Sequence, residues 1–157
     1  RTVIPVQELL DAAGKYFKKS MKNRSERIEL EIEPMEAKVI GDVNQLRFLL
    51  ENLIDEALTV REDGVIRLQA RLDNEYIRFL FTDTRREKSV EELNQLFYPN
   101  LARMTSGEKG ELRGTEYLVC KQIIRDHDEF AGRRGCRINA EPAEGGGFTV
   151  YFTIPHR

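Results

Sequence analysis

Cysteine is nearly absent from the 157 residues: only Cys120 and Cys136 occur, in no C-x-x-C spacing. That excludes a disulfide framework and a zinc site built on paired thiolates, and it fits a reducing, cytoplasmic setting. No charge of either sign is in excess, because 25 basic residues against 27 acidic ones leave a formal charge of -2. Without a basic field the chain does not attract nucleic acid or anionic lipid non-specifically, so neither a nucleic-acid partner nor direct membrane contact is expected. No apolar run approaches the roughly 20 residues of a membrane-spanning helix, and no charged stretch leads into an apolar signal segment. Internal repeats, low-complexity tracts and interdomain linkers are missing too. With His127 and His156 as the only histidines, no Ser-His-Asp or Cys-His nucleophile set can be assembled, and no catalytic residue is assigned.

The rest is 40% hydrophobic and 33% charged, enough apolar material for one core beneath a heavily solvated surface. Residues 1–157 are therefore read as a single domain. Patterned sequence begins directly after Arg1, as expected of the C-terminal part of a longer protein. Val6, Leu9, Leu10, Ala13, Phe17 and Met21 recur at helical spacing after Pro5, which suits a first helical turn. Ile28, Leu30 and Ile32 alternate with three glutamates and predict a half-buried strand with one acidic face. A short strand around Val39 and Ile40 follows. Asp42 and Gln45 then form a cap-like start to a helix whose apolar stripe is Leu46, Leu49, Leu50, Leu53 and Ala57.

On that helix Asn52, Asp55, Glu56 and Thr59 stand at i, i+3, i+4 and i+7, so they form one polar ridge. The ridge is either a solvated face or the lining of a site. Ile66 to Leu72 and Ile77 to Phe81 alternate around Asp73-Asn74, predicting a hairpin. Continued by two residues, that alternation places Asp83 on the inward face, where a carboxylate needs a partner. An Asx turn at the strand end is one such reason. Val90 to Phe97 reads as a short helix, residues 105–114 as a mobile glycine-bearing loop, and Val119 to His127 as another helix. Cys136 to Ala140 and Phe148 to Ile154 make a closing hairpin across Gly145-Gly146-Gly147. His127 is expected in the core or at a helix end, and His156 is expected to fray. The two cysteines are read as structural. The fold class is α+β: a two-layer α/β sandwich with helices on one face of a mixed, mainly antiparallel sheet.

With these elements in this order, the chain resembles the ATP-binding catalytic domain of sensor histidine kinases, the Bergerat-fold group shared with gyrase-type and Hsp90-type ATPases. Gly41-Asp42-Val43-Asn44-Gln45-Leu46 through Glu51-Asn52-Leu53-Ile54-Asp55-Glu56-Ala57-Leu58 is similar to the family's N-box helix. Asn52 stands at the first of its two asparagines, and Glu56 replaces the second, which helps to hold Mg²⁺ against the nucleotide phosphates. Phe79-Leu80-Phe81-Thr82-Asp83-Thr84-Arg85-Arg86-Glu87 is similar to the next motif, whose aspartate accepts the adenine amino group. Asp83 is kept, while Arg85 and Glu87 occupy glycine positions, and an Arg side chain there could fill the adenine pocket.

Gly110-Glu111-Leu112-Arg113-Gly114-Thr115-Glu116 resembles the glycine-rich lid and the helix start that cradles phosphates, with Glu116 at the second glycine of its last stretch. Gly147 to Pro155 resembles the family's last strand, with Phe148 at a threonine position. The resemblance implies ATP and Mg²⁺ as cofactors, Asn52, Glu56, Asp83, Gly114 and Thr115 as nucleotide-binding residues, and Asn52 and Glu56 as metal ligands. Without Mg²⁺, Glu56 repels a polyphosphate by roughly 4 kcal/mol for unit charges ~4 Å apart at an effective dielectric of ~20.

The partners that the resemblance implies are adenine nucleotide, a histidine-bearing dimerisation domain of the parent chain and a response regulator. The function expected on this basis is that of an ATP-binding catalytic domain with a diverged site. The alternative is a pseudo-kinase scaffold that no longer binds or hydrolyses ATP and signals through protein contacts. A third reading is an anti-sigma-type or serine-phosphorylating ATPase.

Overall fold

Helical and two-residue periodicities separate into two layers. The computed structural model describes residues 1–99, 105–106, 112–113, 115–132 and 135–157. Its elements begin with β1 (Thr2–Pro5), α1 (Val6–Ser20), β2 (Ile28–Ile32), β3 (Lys38–Gly41), α2 (Val43–Ala57) and the hairpin of β4 (Gly64–Asp73) and β5 (Tyr76–Asp83). They continue through α3 (Val90–Gln95), β6 (Thr105–Ser106), β7 (Leu112–Arg113), α4 (Glu116–Ala131), β8 (Ile138–Pro142) and β9 (Phe148–Pro155). The main sheet has the order β2-β4-β5-β9-β8. Its β2–β4 pair is parallel and the others are antiparallel, so the mixed α+β sandwich expected from the sequence is the fold observed.

Leu46, Leu49, Leu50 and Leu53 of α2 and Cys120, Ile123 and Ile124 of α4 are buried with Phe79 and Phe152 of the sheet. Burying each Leu or Phe side chain contributes roughly 1.5–3 kcal/mol. The Phe79 and Phe152 rings stack with centroids 4.8 Å apart. Asp42 caps α2 through its side chain, which accepts the Gln45 N–H at 3.0 Å. The acidic face of β2 pairs with β4 through Arg67–Glu31 and Arg71–Glu33, solvent-exposed pairs of small energetic value.

Three local expectations change. Residues 38–41 do not join the main sheet but pair antiparallel with β1, a strand that the helical reading of the N-terminus overlooked. Pro5 accordingly ends β1 and stands at the N-cap of α1, one position before the first turn. His156 is not frayed: its N–H donates to the Glu75 carbonyl at 2.8 Å and it bridges Val39, tying the small sheet to the end of β9. Within the stretch read as a loop, Thr105–Ser106 pairs with Leu112–Arg113, and Gly107, Gly110 and Gly114 lie outside the described residues.

Candidate functional site

The end of α2 and the end of β5 meet at one buried ion pair. Alternation along β5 puts Ile77, Phe79, Phe81 and Asp83 on the helix-facing side, and Asp83 is 2% exposed. It sits in register between Ile66 of β4 and Phe148 of β9. A carboxylate so placed must be compensated, and Arg85 supplies the compensation. Its Nε donates to Oδ1 and its Nη2 to Oδ2, both at 3.0 Å, a bidentate fork on a carboxylate. The Arg85 backbone N–H also donates to Oδ1 at 3.0 Å, so Asp83 forms the Asx turn as well. Arg86 approaches from the far side, with Nε 3.4 Å from Oδ2 and its guanidinium 5.6 Å from the centre of the Phe148 ring.

The remaining donors of Arg85 reach α2 and the turn after it. Nη2 donates to the Ala57 carbonyl at 2.6 Å, and Nη1 to those of Val60 and Glu62 at 2.9 Å each. Its side chain is 1% exposed. α2 has no basic residue in its own last turn, so the cations at the negative end of its dipole come from elsewhere: Arg85, and Arg24, which donates to the Leu58 carbonyl at 2.8 Å. Glu87, at the other glycine position, accepts the Gly147 N–H at 2.9 Å and pins the loop to the β8–β9 turn.

The polar ridge of α2 divides between helix and solvent. Asn52 is 8% exposed and its Nδ2 donates to the Phe48 carbonyl at 2.8 Å, which leaves its side-chain oxygen as the group able to face a cation. Asp55 is exposed and accepts the Tyr16 hydroxyl at 2.7 Å. Partial burial, and secondarily the negative charge of Glu116, hold the Asp55 carboxyl above its usual value despite that bond. Thr59 bonds back to the Glu56 carbonyl at 2.6 Å. Burial pushes the Cys120 thiol up, reinforced by the charges of Glu116 and Glu56, so it is a packed residue and not a nucleophile. Glu116 opens α4, and its Oε2 is buried without a hydrogen-bond donor. Thr115, immediately before it, is half-buried and makes no side-chain cap bond. Gly114 lies outside the described residues.

The structure thus brings Asp83, through Arg85, to the C-terminal end of α2, the half of the helix that also carries Asn52 and Glu56, with Glu116 acting on Asp55 of the same half. No spacing in the sequence marks the bond from Arg24 to the Leu58 carbonyl. Asp83 and Arg85 stand two residues apart, and that spacing was the available signal for the bidentate pair. Asp83 accepts three hydrogen bonds here, all from Arg85. Both Asp83 oxygens are already taken by a guanidinium that is itself buried. Among the described residues no three His, Cys, Asp or Glu side chains gather in a metal-holding arrangement. No helix among them is long and apolar enough to cross a membrane.

Residues 41–157 match the sequence profile of histidine kinase-, DNA gyrase B-, and HSP90-like ATPases. No match was found among curated protein sequences. Among solved structures, the chain is similar to the catalytic domain of the histidine kinase ThkA, with 21% identity and a TM-score of 0.73 over 98% of this chain and 95% of that one. ThkA has also been solved in complex with the response regulator protein TrrA. The mycobacterial sensor histidine kinase MprB is 20% identical, with a TM-score of 0.72 over 99% of this chain and 97% of that one. Full-length ShkA in complex with AMPPNP is 16% identical, with a TM-score of 0.72 over 99% of this chain and 31% of that one. Identities this low establish a shared fold.

Proposed function

The chain belongs to the histidine kinase-, DNA gyrase B-, and HSP90-like ATPase family, and from that premise we propose that it serves a sensor histidine kinase-like signalling protein as an ATPase-type domain with a closed adenine site. The observation that carries this reading is the bidentate Arg85–Asp83 pair. The family's adenine acceptor is present but occupied from within. Such a domain contributes through protein contacts, with the histidine-bearing dimerisation domain of its parent chain and with a response regulator. ThkA, which shares the fold, is solved with such a regulator. A cytoplasmic location suits that role.

A second reading, nucleotide binding in the family's usual manner, is favoured by one feature: Asp83 is retained at the inward end of β5. In that case Asp83 takes adenine, Gly114 and Thr115 lie at the phosphates, and Asn52 and Glu56 hold Mg²⁺. Arg85 must first leave its five acceptors. Calorimetric titration with ATP and ADP, each with and without Mg²⁺, separates the two. Silence up to millimolar nucleotide is expected from the closed site. Micromolar, Mg²⁺-dependent binding would overturn it and restore the ATP-binding reading.

A further inference from the structure

Arg85 uses every donor it has. A guanidinium carries five N–H groups, and the five hydrogen bonds from Nε, Nη1 and Nη2 end on the two Asp83 oxygens and on the carbonyls of Ala57, Val60 and Glu62. Three of these five acceptors belong to the end of α2 and the turn that follows. A residue that merely blocked a pocket would have no need of them.

The stem of Arg85 is fitted as closely as its head. It passes over Gly64, the first residue of β4, where a Cβ would stand 2.5 Å from Arg85 Cγ. Gly64 has φ +145°, a backbone conformation that L side chains rarely adopt. With the head fixed by five bonds, Cγ has no freedom to yield. Gly64 lies outside all the segments that resemble the family's motifs, yet it is the residue that lets Arg85 reach α2.

We propose that Gly64 and Arg85 are a matched pair that converts the adenine site into framework, with Arg85 serving as the C-terminal cap of α2 in place of a ligand-binding role. This deepens the proposed function and rests on the closed-site reading. Its consequence is specific: returning the motif positions to glycine does not recreate a nucleotide site, because the Val60 and Glu62 carbonyls then lose the Arg85 donor, Ala57 keeps only the Val60 N–H, and Asp83 loses its partner. The closure is permanent rather than a gate.

The test compares the wild-type chain with Arg85→Lys, Arg85→Gly/Glu87→Gly, Gly64→Ala and Gly64→Ala/Arg85→Ala, reading melting temperature with and without millimolar Mg-ATP. Lys has three donors on a point charge and cannot reproduce the fork. Arg85→Lys should therefore lower Tm by roughly 5–10 °C for a chain of this size. The double-glycine variant should fall further and gain nothing from Mg-ATP. Gly64→Ala should lower Tm more in the wild-type background than in the Arg85→Ala background, since the Cβ clash needs the Arg85 stem.

An unchanged Tm for Arg85→Lys, or equal Gly64→Ala penalties in both backgrounds, would overturn the matched pair. So would a double-glycine variant whose Tm rises with Mg-ATP while the wild type stays silent, and that outcome would leave the closed-site reading of the wild type intact. Wild-type stabilisation by Mg-ATP would instead overturn the proposed function. Should the double-glycine variant not fold, the Lys variant and the Gly64 comparison decide the matter alone.

Discussion

His127 of α4 accepts the backbone N–H of Asp42, the N-cap residue of α2, with Nε2 3.1 Å from the amide nitrogen. On its other edge Nδ1 lies 2.8 Å from the Ile123 carbonyl, so the hydrogen is on Nδ1 and the ring is neutral. The side chain is 3% exposed, and burial is the main force holding the imidazole below its usual value; Arg1 acts in the same direction, while the bond to Ile123, Asp42 and Asp126 oppose.

The first prediction follows from the sign of that shift. The unfolded chain takes up the His127 proton near pH 6.5 and the folded chain only at lower pH, so between the two the unfolded state binds more protons. Stability is full above about pH 6.5 and falls as pH drops below it. Urea midpoints measured at pH 7.5, 6.5 and 5.5 should decline for the wild type and decline less for His127→Gln. Parallel declines would refute the assignment.

Asp55 behaves in the opposite sense. Its carboxyl is held above the ordinary 3.8, so the fold is penalised as pH rises through that window and remains penalised at neutrality. Asp55→Asn keeps a carbonyl acceptor for Tyr16 and removes the charge facing Glu116. At pH 7 its Tm should equal or exceed that of the wild type, whereas Tyr16→Phe should cost about 0.5–1.5 kcal/mol by removing the donor. An Asp55→Asn variant less stable than Tyr16→Phe would sink this account.

The stacked pair Phe79 and Phe152 lies at the middle of the sheet with both rings fully buried. Truncating either to Ala should destabilise the chain by about 3–5 kcal/mol. Because the rings touch, the double variant should lose less than the two single losses together. Chemical denaturation of the three variants checks both statements.

Gly147 has φ +83°, and a Cβ there would overlap the Asp83 carbonyl oxygen. Backbone does not yield as a side chain does, so Gly147→Ala should cost at least about 2 kcal/mol. Gly145 is also at positive φ, but a Cβ there meets nothing within 4 Å, so Gly145→Ala should be the milder change. Reversal of that order in thermal melts would contradict the geometry.

Much of the fold is legible in the residue pattern. The stripe of α2, its Asp42 cap and the β4–β5 hairpin are local consequences of spacing and turn chemistry. The inward position of Asp83 follows from counting by twos along β5. By contrast, β1 is four residues long and pairs with a strand more than 30 residues on, so neither its length nor its neighbours distinguish it from the start of a helix.

The site divides along the same line. Residue types and their order determined the family, the inward carboxylate, and the loss of glycine at Arg85 and Glu87. Only the tertiary structure decided what Arg85 does there. Its partners beyond Asp83 are backbone carbonyls up to 28 residues away. Every residue carries a carbonyl, so nothing in the side-chain sequence marks the ones left unsatisfied at the end of α2. That depends on where the helix stops and what packs against it, as does the need for Gly64 to be a glycine.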